Sequence, residues 1–191
     1  MGRSLPFRTA LLIGALIPAA AIPAFAEGTT AIIYGDGFAY QVTSPAGWVL
    51  DTESGAADGL KPVFYPQGRT WANAPAVIYV HSMEREPDAK LDEVIASETE
   101  NFKHEAGGHP LVRVAPAVEL ESGAHVPVRL FSGDRFGNHE AVAYVDAPNT
   151  VGLVVLTAHQ QSDFDAALPA FRALVRSWRV TAPEQKAAVS P

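Results

Sequence analysis

The sequence predicts an α+β domain, a mostly antiparallel β-sheet flanked by helices. Three observations predict it. Phe38, Tyr40 and Val42 alternate with Ala39, Gln41 and Thr43, the period of two that puts one set of side chains on one sheet face. After Leu111, four strand-length segments follow one another with only short turn signals between them. Two further segments, one mid-chain and one near the end, carry apolar residues at helical spacing.

Residues 1–26 are expected to stand outside this domain. Arg3 and Arg8 precede an uncharged run from Thr9 to Ala26 that closes on Ala24-Phe25-Ala26, the pattern of a secretory signal peptide cleaved after Ala26. Pro18 and Pro23 interrupt the run and small residues end it, which argues against a retained membrane span. The two arginines are not adjacent, so a twin-arginine route has no support. The globular domain is expected over 27–180 and a flexible tail over 181–191, with no fixed-period repeat and no low-complexity linker.

Ala31 to Tyr34 and Phe38 to Thr43 read as two extended segments around the turn Gly35-Asp36-Gly37. Ser44-Pro45-Ala46-Gly47 ends the second, and Trp48-Val49-Leu50 begins another short apolar piece. Asp51 to Gly59 is a loop, and Phe64-Tyr65 precede a long connection from Pro66 to Pro75. The run Ala76 to Val80 suits a strand covered on both faces. Pro87 and Asp88 start a helix, with Asp88 as candidate N-cap, and Leu91, Val94, Ile95 and Phe102 fall on one side of it. Gly107-Gly108 should end it.

Leu111 to Leu120, Val126 to Ser132, His139 to Asp146 and Val151 to Ala158 read as strands. Breaks at Ser122-Gly123, Gly133-Asp134 and Pro148-Asn149 make them successive antiparallel neighbours. In the last segment Phe164, Ala167, Leu168, Phe171, Leu174, Val175 and Trp178 form an amphipathic helical stripe that must cover the sheet. Ser162 or Asp163 can cap this helix, and Arg176 and Arg179 favour its C-terminus.

Composition excludes several chemistries. The 191 residues contain no Cys, which removes disulfides, thiolate metal sites, thiol nucleophiles and the lipid-bearing Cys of a lipoprotein. With 14 Lys+Arg against 21 Asp+Glu and a formal charge of −7, the chain lacks the basic stripe that nucleic acid would require. The start of the chain carries cations and no acids, so the remainder is more acidic still. Gly35-Asp36-Gly37-Phe38-Ala39-Tyr40 lacks the third glycine of a dinucleotide fingerprint and leads into a strand. Neither a nucleophile elbow nor a P-loop occurs. No cofactor is expected.

Phe38-x-Tyr40-x-Val42-x-x-Pro45-x-Gly47-Trp48, followed by a mid-chain strand and helix, hairpins and a last helix ending Val175-Arg176-Ser177-Trp178, resembles the PsbP-like superfamily. That superfamily also contains the Ran-binding import factor of Mog type and bacterial DcrB-like envelope proteins. The resemblance implies an α/β/α sandwich around an antiparallel sheet, and accessory, assembly, chaperone-like or binding roles rather than one enzyme activity. No catalytic residue carries over, since the matching positions are core aromatics and turn residues. The chain departs from DcrB-like lipoproteins in having no Cys.

Three constellations are candidates for function. His104-Glu105-Ala106-Gly107-Gly108-His109 resembles a zinc-protease motif, but five residues turn the second His roughly 140° from the first, so no metal site is expected and a polar helix end is the reading. His139 with Asp134 and Glu140 could supply a base and an orienting carboxylate for a small hydrolase or a metal-dependent enzyme. The alternative is a solvated hairpin with an Asp134–Arg135 or Glu140–Arg129 ion pair. Third, Phe64, Tyr65 and Trp71 flank a loop with Arg69, the residue types that anchor contacts, while Trp48 reads as core. The favoured expectation is an exported, non-catalytic binding protein of the cell envelope. It would engage a protein partner or apolar ligand through an edge bearing Trp71, Arg69 and Tyr65.

Overall fold

The computed structural model describes residues 28–35, 38–86, 88–147 and 150–181. The expected signal segment lies outside them, as do the turn residues Asp36-Gly37 and Pro148-Asn149, Pro87, and the tail beyond Thr181. The elements follow in the order β1 (Thr30–Gly35), β2 (Phe38–Thr43), β3 (Trp48–Asp51), β4 (Val63–Pro66), β5 (Ala76–Glu84) and α1 (Leu91–Glu105). Then come β6 (Leu111–Glu119), β7 (His125–Ser132), β8 (His139–Ala147), β9 (Thr150–Ala158), α2 (Gln161–Arg176) and β10 (Arg179–Thr181).

Seven strands form one antiparallel sheet in the order β3-β4-β5-β9-β8-β7-β6, and β1-β2-β10 form a second, smaller one. The four strands after Leu111 are successive neighbours because short connections leave antiparallel pairing as the only reachable geometry. β6 is an edge strand, which accommodates Pro116 at the irregularity between Ala115 and Val118.

The large sheet is the middle layer of three. One face buries Ile78, Val80, Ala143 and Leu156 against Phe164, Phe171, Leu174 and Val175 of α2, and Tyr40 and Val42 of the small sheet join this cluster. The other face packs Phe131, Tyr144, Leu153 and Val155 against Ile95, with Leu91, Val94 and Phe102 of α1 partly buried. Trp178, immediately after α2, stacks on Tyr40 at 3.9 Å between ring centroids. It also occupies the space above Gly152, where a Cβ would lie 2.4 Å from the indole, so this strand glycine is a packing requirement. Ser177 fastens the end of α2 to β2 by accepting the Thr43 N–H at 2.9 Å and donating to the Leu174 carbonyl at 2.7 Å.

Three expectations need correction. α1 begins three residues later than Asp88: Lys90 is its N-cap, and Glu93 accepts the Lys90 N–H at 3.0 Å, so a carboxylate inside the first turn satisfies the start. α2 is capped by Gln160, whose carbonyl accepts the N–H groups of Asp163 and Phe164, leaving Ser162 and Asp163 within the first turn. β5 is covered completely on one face only. Ala76, Ile78 and Val80 are buried, whereas Val77 and Tyr79 are half-buried because α1 covers that side incompletely.

Candidate functional site

Asp134, His139 and Glu140 do not converge. The Asp134 carboxylate is taken up by its own turn, accepting the backbone N–H of Phe136 at 3.1 Å and of Asn138 at 2.8 Å, and the Asn138 side-chain amide at 2.9 Å. His139 and Glu140 are adjacent in β8, and the pleat sends them to opposite faces. The His139 ring lies 6.1 Å from that of Phe164 in α2. Glu140 faces the α1 side. Neither the Asp134–Arg135 nor the Glu140–Arg129 ion pair forms among the described residues.

The double glycine of the His104 to His109 segment has a packing role. Gly107 and Gly108 both have positive φ, and a Cβ on Gly108 would lie 2.6 Å from the Gly133 carbonyl oxygen. Backbone bonds from His109 to Gly133 (2.8 Å) and from Arg135 to Ala106 (3.0 Å) join the end of α1 to the β7–β8 connection. Among the described residues no three His, Asp or Glu side chains come together as metal ligands would.

The Pro66 to Pro75 connection divides the predicted aromatic edge into supporting and accessible parts. Phe64 is fully buried, and Tyr65 is 8% exposed. The Tyr65 hydroxyl donates to Asp51 at 2.8 Å, a bond that pushes the phenol above its ordinary range. Trp48 is half-buried and packs against the edge of the main core. Trp71 is half-buried and Arg69 exposed. Trp71 walls a cleft of about 240 Å³ together with Val77, Asn138, Thr157 and His159.

A larger groove of about 360 Å³ adjoins this cleft, between α1 and the sheet. Val77, Thr157 and Glu140 are cross-strand partners in one row, the first two lining the Trp71 cleft and the third the groove. The floor is apolar, built from Phe131, Val142, Leu153 and Val155. Phe102 of α1 meets Phe131 edge to face at 5.0 Å. Tyr79 and Tyr144 add phenol groups, and Glu98, Glu105 and Glu140 add carboxylates. Burial pushes the Glu140 carboxyl up, against the lowering influence of Thr157 and with a further rise from Asp134. Burial likewise raises Tyr79, helped by Glu140, and Tyr144, helped by Glu98 and Glu140 against Arg129.

Sequence reasoning singled out Glu140 but not Tyr79, Tyr144 or Glu98. The signal was parity within strands. Val77, Tyr79 and His81 alternate with the buried Ala76, Ile78 and Val80, and Glu140, Val142 and Tyr144 share one face of β8.

No protein-family model matches the sequence, and no curated protein matches it significantly. Solved structures do share the architecture. The solution structure of cyanobacterial PsbP (CyanoP) from Synechocystis sp. PCC 6803 is similar at a TM-score of 0.53 and 16% identity, over 85% of this chain and 98% of that one. LpqN of Mycobacterium tuberculosis, involved in cell envelope biogenesis, is similar at a TM-score of 0.51 and 16% identity, over 80% of this chain and 91% of that one. The chain therefore has the PsbP-like α/β/α fold that its Phe38 to Trp48 pattern and its last helix implied.

Proposed function

We propose that this chain is an exported, non-catalytic accessory or binding protein of the cell envelope, engaging a protein partner or apolar ligand through the loop edge that carries Trp71 and Arg69. One observation carries the reading. The residues offered for catalysis are separated by the sheet itself, with His139 toward α2, Glu140 toward α1 and Asp134 engaged in its turn, whereas Trp71 stands in a cleft with Ala72, Ala74, Pro75 and Val77, and Arg69 is exposed on the same loop. Tyr65 acts here as support, holding the strand beneath the loop to Asp51. LpqN, which shares the fold, is involved in cell envelope biogenesis, and among the described residues no helix is long and apolar enough to cross a membrane. The envelope role of LpqN accords with an exported accessory role.

The test compares two variants in capturing partners from an envelope extract. A Trp71→Ala/Arg69→Ala double variant should weaken capture by roughly 2 kcal/mol or more, the usual cost of truncating an aromatic or Arg anchor. His139→Ala should leave it unchanged. Both must first melt at the wild-type temperature. Loss with His139→Ala and retention with the double variant would sink the reading in favour of catalysis.

A further inference from the structure

We propose that the groove between α1 and the sheet binds a small organic ammonium cation, a quaternary or protonated amine carried on an apolar body. Size and lining come first. About 360 Å³ accommodates a small molecule, and its floor of Phe131, Val142, Leu153 and Val155 is apolar and buried.

Charge then selects among small molecules. The described lining residues include Glu98, Glu105 and Glu140 but no Lys or Arg. An anion would meet three carboxylates, with His81 the one ionisable nitrogen among the described lining residues. A neutral apolar ligand would strip water from Glu140, whose charge burial already disfavours, and return nothing for it. A cation repays that desolvation. A metal ion is a poor alternative, because no three potential ligands converge among the described residues. The partly exposed rings of Tyr79 and Phe102, backed by the buried Phe131 and Tyr144, favour a diffuse cation, whose charge is attracted to aromatic rings while its alkyl groups pack on the floor. Arg129, which acts on Tyr144, is not among the lining residues. Its guanidinium donates to the Val128 carbonyl at 3.2 Å.

The inference concerns a different depression from the Trp71 cleft, so the two stand or fall separately. Calorimetric titration of the full chain would compare benzyltrimethylammonium with benzyl alcohol and phenylacetate at low salt, and amide NMR shifts would locate the bound probe. The cation should bind about tenfold more tightly than the alcohol, the advantage a desolvated cation–π site confers. Phenylacetate should not bind. Shifts should fall on residues 98–105 and 140–144. Glu140→Gln should weaken the cation roughly fivefold, and Glu98→Gln, on the groove wall, should act in the same direction without disturbing the sheet.

Equal binding of the alcohol, unchanged affinity in both glutamine variants, shifts confined to another surface, or no binding by any probe would overturn the proposal. Capture through Trp71 that persists in those cases would leave the accessory reading intact.

Discussion

Asp51 accepts four hydrogen bonds at the end of β3, from the backbone N–H groups of Glu53 (2.8 Å) and Ser54 (2.9 Å), the Ser54 hydroxyl (2.6 Å) and the Tyr65 hydroxyl (2.8 Å). These bonds, led by those of Ser54, hold its carboxyl well below the ordinary value of 3.8. A carboxyl depressed in the folded state adds stability that is complete above its unfolded pKa and is lost as pH falls through the folded value. Asp51→Asn should therefore be less stable than wild type at neutral pH, and the gap should narrow as pH drops below about 4. Urea unfolding at several pH values checks this, and a gap independent of pH would show that the charge contributes nothing. The turn Asp51-Thr52-Glu53-Ser54 was legible as a loop from its polar composition. The partner Tyr65 was not, since fourteen positions separate it from Asp51 and only the β3–β4 register brings them together.

At the scale of elements, α2 shows how a strong period overrides a weak local preference. Pro169 lies inside it, removing one backbone donor, yet the helix continues to Arg176. Pro169 is exposed, so water can satisfy the carbonyl left without a partner, while the opposite stripe is held by the sheet. Phe171, fully buried in that stripe, should cost roughly 3–5 kcal/mol when changed to Ala, as other large-to-small core substitutions do. An unchanged denaturation midpoint would remove Phe171 from the core. The helix stripes are legible because their spacing is strict, whereas both N-caps lie two or three residues from the positions the sequence predicts. At α2 the start is set by the Gln160 carbonyl and not by the Ser162 or Asp163 side chain, and at α1 it is set by the Lys90 carbonyl together with the Glu93 carboxylate and not by Asp88.

For the whole molecule, unequal coverage of the sheet is the feature that matters. α2, Trp178 and the small sheet seal one face. α1 covers the other in part, leaving the adjoining groove and Trp71 cleft open along the row Val77, Thr157 and Glu140. Export belongs to this scale as well. The Ala24-Phe25-Ala26 ending predicts that intact-mass analysis of envelope protein will find Glu27 as the first residue, and Met1 retained in that pool would overturn the assignment.

The sequence by itself determined the α+β class, the antiparallel run from Leu111 to Ala158 and the core-facing stripe of α2. Each is a local period, and burial acts on every residue of the period alike. The PsbP-like layering was also legible, through the aromatic and turn residues from Phe38 to Trp48. The candidate site was legible only in pieces. Glu140 was found but assigned to His139 and Asp134, because chain neighbours look like partners until the pleat of β8 sends them to opposite faces. Tyr79, Glu98 and Tyr144 join Glu140 across three separate elements. Their meeting depends on strand register and on where α1 comes to rest, distances through space that no spacing along the chain encodes.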